Sequence, residues 1–136
     1  MATGKPVPVP DLDSAEYWRA TTEGRLLLQR CRGCGGLQHY PRRLCVRCHG
    51  SDLEWQASSG RGTVYSFTVI RRAPSTAFAA DVPYVLALVE LEGGTRLMTT
   101  LADTAPEDVS IGMPVKVRFD PVADGIALPR FARDAA

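Results

Sequence analysis

Four cysteines carry the clearest chemical signal in this 136-residue sequence. They form two Cys-x-x-Cys pairs, Cys31 with Cys34 and Cys45 with Cys48, separated by ten residues. Two such pairs can place four thiolates at the corners of a tetrahedron, which is the coordination that Zn²⁺ adopts in structural sites. Because sulfur would then occupy all four positions, none is left for water or a substrate. The spacing therefore predicts a zinc ribbon whose metal is structural rather than catalytic.

Two alternatives concern the same segment. The cysteines could form two disulfides instead, but the first ten residues are polar and rich in proline and do not resemble an apolar leader for an oxidising compartment. This favours zinc and a cytoplasmic location. His39 and His49 could each replace a cysteine as a metal ligand, although four sulfurs make them surplus. We therefore expect both histidines to lie beside the metal site.

The rest of the sequence offers little for catalysis. It contains no glycine-rich phosphate loop and no Gly-x-Ser-x-Gly motif, and turn chemistry explains its acidic residues. We therefore predict that the chain is not an enzyme by itself. A composition of 45% hydrophobic and 23% charged residues is that of a globular protein without a membrane span. The formal net charge of +1 gives no indication of nucleic-acid binding.

Residues 1–24 are predicted to form an extended arm and a short helix. Alternating prolines exclude a helix in the arm, which we expect to be mobile or to lie on a partner. Asp13 and Glu16 form a capping-box pattern, which predicts a short helix with Asp13 as its N-cap residue that ends near Gly24. So short a helix needs tertiary contacts, and we expect Tyr17 and Trp18 to pack on the ribbon or on a second protein.

A zinc ribbon at residues 25–58 and a barrel at residues 59–133 are predicted to follow. In the second segment hydrophobic residues recur with a period of two, which indicates β-strands, and one strand is so apolar that we expect both of its faces to be buried. The five predicted strands are 63–70, 84–91, 95–101, 115–119 and 126–131. This pattern is typical of an OB-fold. The predicted fold class is therefore mainly β, with an N-terminal helix, a zinc ribbon and a five-stranded OB-fold barrel.

Two further features point to binding. Seven arginines against two acidic residues lie between residues 25 and 61. They could compensate an anionic zinc–thiolate centre, bind phosphates or dock on an acidic partner. The 71–83 segment is a long loop of small and apolar residues that contains Phe78. It could contact a ligand or a partner, or it could be a mobile loop with one self-buried phenylalanine.

The order of these motifs resembles a known family. The motifs are a short helix, Cys-x-x-Cys-Gly, Tyr40-Pro-Arg, Cys-x-x-Cys, Trp55, Ser59-Gly-Arg-Gly-Thr-Val-Tyr-Ser-Phe-Thr-Val, Pro83-Tyr, Glu107-Asp-Val-x-Ile-Gly-Met-Pro-Val and Leu128-Pro-Arg-Phe. From about Asp13 to Phe131 the chain is similar to the acyl-CoA-associated zinc-ribbon/OB-fold family, known as domain of unknown function 35. The resemblance implies a rubredoxin-like zinc ribbon followed by an OB-fold barrel. It also implies a non-catalytic partner of thiolase-fold enzymes, such as thiolases and the lipid-transfer-protein-like aldolases that shorten steroid side chains.

What the resemblance implies for this chain is an accessory subunit that helps hold or pass the acyl-CoA substrate of such an enzyme. A two-plus-two assembly would follow the symmetry of thiolase-fold dimers. Arginine pairs well with phosphate, and an apolar loop could line the acyl path, so we expect substrate contacts from one set of residues: Arg42, Arg43, Arg71, Arg72 and Phe78. Tyr17 and Trp18 are the candidates for partner contacts. The identity of the acyl-CoA stays open, as does whether the partner makes or breaks a carbon–carbon bond.

A nucleic-acid-binding module is the alternative function, because zinc ribbons and OB-fold barrels both occur in such proteins. It would require exposed aromatic residues among basic ones on the barrel strands. Tyr65 and Phe67 could stack on bases, but few lysines or arginines accompany them. We therefore expect an enzyme partner and no nucleic acid.

Overall fold

The computed structural model describes residues 4–134 and confirms the mainly β fold class. One α-helix precedes two antiparallel sheets in this part of the chain. The elements are α1 (Ala15–Thr21), β1 (Leu27–Cys31), β2 (Leu37–Gln38), β3 (Leu53–Ala57), β4 (Arg61–Ile70), β5 (Tyr84–Leu91), β6 (Arg96–Thr100), β7 (Pro114–Ala123) and β8 (Ile126–Arg133). Short 3₁₀-helices span Thr76–Phe78 and Pro106–Asp108. No helix between residues 4 and 134 is long and apolar enough to cross a lipid bilayer.

The first sheet carries the cysteine pairs. Its strand order is β2–β1–β3, and all pairings are antiparallel. Strand β2 has only two residues, too few for a periodic pattern, and the sequence did not predict it. Strand β1 and the residue before it bury three consecutive leucines, of which Leu26 and Leu28 belong to the same hydrophobic core as the barrel interior. The ribbon and the barrel are therefore joined by packing as well as by the chain.

The second sheet closes into a barrel with OB-fold topology. Its strand order is β6–β5–β4–β7–β8, and a parallel bridge between Leu101 and Phe131 joins the two edge strands. Across this seam the amide of Ala102 donates to the carbonyl of Phe131 at 2.7 Å. The Phe131 side chain is fully buried beneath the seam. Closure pairs both edges of the sheet, as such a barrel requires.

Two barrel strands differ from their predicted form. The expectation that β5 is buried on both faces was wrong, because its residues alternate between buried and half-buried. A barrel strand has only one face toward the interior, and the apolar outer residues of β5 are partly covered by other elements. Strand β7 continues past its predicted end at Phe119 to Ala123, with an irregular register between Pro121 and Ala123. A proline at such an irregularity is tolerated because it need not donate to the ladder.

Helix α1 begins later than the capping box predicted. Ser14 is the N-cap residue, and Asp13 does not cap the helix. The Asp11 carboxylate instead accepts hydrogen bonds from the amides of Asp13 at 3.1 Å and Ser14 at 2.8 Å, which fixes the turn that enters the helix. Glu16 pairs with Arg19 on the helix surface rather than reaching back to the cap. The predicted N-cap was therefore wrong by one residue, because the Asp11 carboxylate fixes a turn that places Ser14 at that position.

The helix packs chiefly on the barrel. It ends at Thr21 rather than near Gly24, and Thr21 Oγ1 accepts a hydrogen bond from the amide of Ala127 in β8 at 3.0 Å. The Tyr17 side chain is only 4% exposed and belongs to the shared hydrophobic core. The expected packing on the ribbon is also present, through β1 and through the ring of His39, but the barrel strand β8 contacts the helix more extensively.

The N-terminal arm contacts the 71–83 loop of its own chain. Lys5 Nζ lies 2.5 Å from a carboxylate oxygen of Asp81 and 5.3 Å from the centre of the Phe78 ring. Phe78 is half-buried, and its ring lies 6.3 Å from that of Tyr84. The arm and the start of β5 thus cover part of the apolar loop without a second protein.

Candidate metal centre and ligand groove

The four cysteine sulfurs converge on one point. All four Sγ atoms lie within 4.8 Å of one another, with 3.6 Å between Cys31 and Cys48 and 3.6 Å between Cys34 and Cys45. A tetrahedral site with Zn–S bonds of about 2.3 Å places its sulfurs about 3.8 Å apart. The observed spacing fits such a site, so these four thiolates would hold a structural Zn²⁺.

The two cysteine pairs form equivalent turns. The amide of Gly35 donates to the carbonyl of Cys31 at 2.7 Å, and the amide of His49 donates to that of Cys45 at 3.0 Å. Both donors adopt the left-handed conformation, with φ of 78° at Gly35 and 64° at His49. Glycine takes this conformation freely, whereas histidine is strained there. The His49 ring is not among the converging ligand atoms, so His49 does not replace a cysteine in this group.

The turns also prepare the sulfurs for metal binding. The amides of Cys48 and Arg47 lower the pKa of the Cys45 thiol to about 6 from 9.0. Although the Gly50 amide acts in the opposite direction, the nearby Cys31 sulfur raises the pKa of Cys48 to about 11. Within this pair, the Cys45 sulfur thus holds negative charge more readily than the Cys48 sulfur. A bound Zn²⁺ deprotonates coordinating thiols outright and would remove this difference.

His39 is a buried ring rather than a metal ligand. It packs between Tyr17 and Tyr40, with ring centres 5.4 Å and 4.2 Å away. Burial, assisted by the positive charge of Arg42, lowers the pKa of His39 to about 4. The imidazole is therefore neutral near pH 7. Its Nδ1 atom is buried and has no hydrogen-bond partner in the described part of the chain.

Two buried glutamines hold the backbone that leads into the second cysteine pair. Gln29 exchanges two hydrogen bonds with the main chain of Arg42, each 2.8 Å long. Gln38 accepts from the amide of Val46 at 2.9 Å, donates to the carbonyl of Leu44 at 3.3 Å and donates to Gln29 Oε1 at 2.8 Å. We call residues 40–47 the ribbon loop. Because these side chains satisfy its main-chain groups, the loop has a fixed conformation without belonging to a strand.

Two cavities lie side by side on the barrel. The first, of about 600 Å³, lies between α1, the ribbon loop and strands β5, β6 and β8, and we call it the ribbon-side cavity. The second, of about 470 Å³, lies between the barrel and the segment that contains Phe78, and we call it the arm-side cavity. Both are lined by Thr100, Leu128 and Arg130. The two cavities therefore adjoin each other along the barrel, and we refer to them together as the groove.

Arg130 is fixed at the junction of the two cavities. Its guanidinium donates to Thr100 Oγ1 at 2.9 Å and to the carbonyl of Leu101 at 3.3 Å, and it pairs with Asp120 at 3.2 Å. These three contacts satisfy most of its donors. Arg42, at the ribbon-side end, forms no ion pair among residues 4–134. The groove thus has a fixed arginine at its middle and an unpaired one at its end.

Comparison with known proteins identifies the family. The profile of the "ChsH2, rubredoxin-like zinc ribbon domain" matches residues 18–54, and that of the "ChsH2, C-terminal OB-fold domain" matches residues 55–120. A "DUF35 domain-containing scaffold protein" of Methanocaldococcus jannaschii is 38% identical over 104 residues, which cover 75% of this chain and 73% of that protein. The chain belongs to the DUF35 family. This confirms the resemblance found in the sequence.

Two further relatives of this DUF35 chain carry enzyme names. A chain of the solved "Ltp2-ChsH2(DUF35) aldolase" is 38% identical, with a TM-score of 0.82 over 93% of this chain and 98% of that one. A "Probable enoyl-CoA hydratase alpha subunit" of Thermomonospora curvata is 39% identical over 127 residues, or 93% of this chain. The DUF35 chain spans only 39% of the length of that subunit. The match therefore does not show that this chain has the activity named for the longer protein.

The structure brings together only some of the residues predicted to bind substrate or partner. Arg42 lines the ribbon-side cavity and Phe78 the arm-side cavity. Arg43 and the Arg71–Arg72 pair line neither cavity. Of the two partner candidates, Tyr17 is buried and offers little surface, whereas Trp18 is half-buried; both line the ribbon-side cavity. Binding by any of these residues stays a prediction.

The sequence did not single out His39, Thr100 or Arg130 as parts of a groove. They lie far apart in the chain and come together only through the barrel closure and the position of the ribbon. The single available signal was the Leu128-Pro-Arg-Phe motif, which contains Arg130 and belongs to the family pattern. Its arginine is the one that the structure places where the two cavities meet.

Proposed function

We propose that this DUF35 chain is a non-catalytic accessory subunit that binds a thiolase-fold enzyme and helps hold the acyl-CoA substrate of that enzyme. The observation that carries the proposal is the match to a chain of the Ltp2-ChsH2(DUF35) aldolase over 98% of that chain. The 38% identity and the TM-score of 0.82 show a common fold over nearly the whole of both chains, which supports a common role. The scaffold-protein name of the archaeal relative supports the same role.

The chemistry of the described residues supports a role without catalysis. The four thiols fit a closed zinc site, which leaves no coordination position for a substrate. Neither histidine side chain forms a hydrogen bond within residues 4–134, so no nucleophile is paired with an imidazole base there. Carbon–carbon bond chemistry would therefore take place on the partner subunit.

The groove is the part of the chain that fits an acyl-CoA. Coenzyme A combines phosphates with a long, mostly apolar arm that ends in the acyl group. Arg42 offers an unpaired guanidinium for a phosphate at the ribbon-side end, and aromatic and aliphatic side chains line the path onward to Phe78. Of the four arginines predicted from the sequence, we restrict this proposal to Arg42 because it alone borders the groove.

The nucleic-acid alternative has less support. The guanidinium of Arg96 lies 3.7 Å from the centre of the Tyr65 ring, so one face of that ring is already covered, and Phe67 is half-buried. Base stacking needs free aromatic faces beside basic groups. We therefore do not propose nucleic-acid binding, but the experiment that tests the proposed function includes a nuclease step that would reveal it.

The test is affinity capture of the full chain from its native cell lysate at moderate salt, after nuclease treatment, with the tag alone as the control. We expect a thiolase-fold protein to remain bound in a stoichiometric amount and to act on its acyl-CoA faster with this chain than without it. Recovery of the chain alone, or loss of every bound partner on nuclease treatment, would refute the accessory-subunit function. Two-plus-two stoichiometry would be measured on the purified complex by its mass in solution.

A further inference from the structure

The ribbon loop is more ordered than an exposed loop needs to be. Its main chain is hydrogen-bonded to the side chains of Gln29 and Gln38, which are only 5% and 6% exposed. Burying two amide side chains is favourable only when their donors and acceptors are satisfied, and here the loop satisfies them. This arrangement fixes the main chain of the loop, and with it the points from which its side chains project, before any ligand arrives. Such preorganisation lowers the entropic cost of binding.

The side chains that the loop presents include aliphatic groups without cover. Leu44 is 47% exposed and Val46 is 59% exposed. The carbonyl of Leu44 and the amide of Val46 are both hydrogen-bonded to the buried side chain of Gln38, which fixes the main chain at these two residues. Single exposed aliphatic residues are ordinary, but this one loop carries two of them and an exposed ring, Tyr40, so three of its eight residues expose large apolar side chains.

The charge of the same loop has one sign. Residues 40–47 contain three arginines and no acidic residue. Arg42 and Arg47 form no ion pair within residues 4–134, and Arg43 has only a 3.9 Å approach to Asp13. A Cβ atom at Gly36 would lie 3.0 Å from Cδ of Arg47, so the stem of Arg47 rests on the first cysteine turn while its guanidinium is exposed. Fixed arginines around an apolar centre are typical of protein interfaces.

We propose that the ribbon loop is the surface on which this chain docks to its enzyme subunit, through an acidic patch of that subunit surrounding an apolar pocket. Leu44 and Val46 enter the pocket, and Arg43 and Arg47 face carboxylates at its rim. The proposal rests on the proposed function, because it takes the thiolase-fold subunit as the occupant. The positive charge of the loop excludes a basic partner surface and favours an acidic one.

The experiment measures binding of the purified thiolase-fold subunit, obtained by wild-type capture, to zinc-loaded variants of the full chain by surface plasmon resonance. The apolar variants are Leu44→Glu and Val46→Glu, with Ile111→Glu as the control because it is also an exposed aliphatic residue, 64% accessible, on a barrel loop. The charge variant is Arg43→Glu with Arg47→Glu, and its control is Arg133→Glu on β8, an exposed arginine. Circular dichroism and zinc content verify that each variant is folded.

We expect the apolar variants to weaken binding at least about tenfold, mainly through faster dissociation, because a buried anchor controls the off-rate. The charge variant should slow association at low salt and lose that effect at high salt, because rim charges act on the on-rate. The two controls should bind as wild type does.

Four other outcomes would each contradict the proposed docking surface, and each has a different interpretation. If the wild type binds and the ribbon-loop variants bind equally well, the proposed function stands and the docking surface is wrong. Weaker binding of coenzyme A with unchanged binding of the subunit would assign the arginines to phosphate recognition instead. A wild-type dimer in sedimentation that Leu44→Glu dissociates would assign the loop to a second copy. A wild-type chain that binds no thiolase-fold subunit overturns both proposals.

Discussion

The replacement Gln29→Leu tests whether the buried amides hold the ribbon loop. Leucine keeps the approximate size of the side chain but removes its hydrogen-bonding groups. Three hydrogen bonds are lost, two to the main chain of Arg42 and one from Gln38. At about 1 kcal/mol for each bond, with unsatisfied buried partners left behind, we expect the free energy of unfolding to fall by about 3 kcal/mol. For a chain of this length that corresponds to a melting temperature lower by about 10 °C.

The matched control is Gln56→Leu, on the neighbouring strand β3. Gln56 is exposed, so its replacement should change the free energy of unfolding by less than about 0.5 kcal/mol. Urea denaturation of the zinc-loaded proteins gives both values. Amide hydrogen exchange adds a local measurement, because the only described acceptor for the Arg42 amide is Gln29 Oε1, and this amide should exchange faster in Gln29→Leu. A destabilisation no larger than that of Gln56→Leu, together with unchanged exchange at Arg42, would refute the role given to Gln29.

Three further predictions concern the metal site and the groove. In the zinc-free protein the amides of Cys48 and Arg47 lower the pKa of Cys45 to about 6 from 9.0, so the stabilisation by its thiolate is present at higher pH and is lost as the pH falls through about 6. In the zinc-loaded protein, protons compete with Zn²⁺ for the thiolates. We therefore expect a colorimetric chelator to remove zinc much faster at pH 5.5 than at pH 7.5. Equal rates of zinc removal at the two pH values would contradict this prediction. Because φ of His49 is 64°, His49→Gly should raise the free energy of unfolding by up to about 1 kcal/mol, whereas Gly35→Ala, at the equivalent position with φ of 78°, should lower it by about 1 kcal/mol. Urea denaturation measures both changes. If the two changes in the free energy of unfolding have the same sign, His49 is not strained. Arg42→Glu should raise the KM of the complex for its CoA thioester about tenfold with little change in kcat, and Arg71→Glu, outside the groove, should not; an unchanged KM would remove Arg42 from the site.

The metal site was predictable because its chemistry is local. Two Cys-x-x-Cys pairs determine the ligands through short turns, and the structure adds only the 3.6 Å sulfur separations. Period-two alternation likewise located the five barrel strands. The helix start was less predictable because Asp13 and Ser14 are both plausible N-cap residues, and only the observed turn, in which the Asp11 carboxylate accepts hydrogen bonds from both of their amides, decides in favour of Ser14.

The groove and the rigid ribbon loop could not be predicted from the sequence. Arg130 and Thr100 are thirty residues apart and meet because of the barrel topology. Gln29 and Gln38 look like ordinary polar strand residues, and nothing in their neighbours indicates that they are buried and bonded to a loop. Contacts between distant polar side chains depend on the packed tertiary structure, which local patterns do not contain.

Two leucines at the start of the ribbon couple the thermal unfolding of the ribbon to that of the barrel. Leu26 and Leu28 lie in the same core as Val64 and Phe131 of the barrel, so neither part can lose its structure without exposing apolar surface of the other. Heat should therefore unfold ribbon and barrel in a single cooperative transition, visible as one calorimetric peak. By linkage, withdrawal of zinc at one end of the molecule lowers the melting temperature of a barrel that contains none of the ligands. A bound Zn²⁺ would thus stabilise the barrel as well as the ribbon.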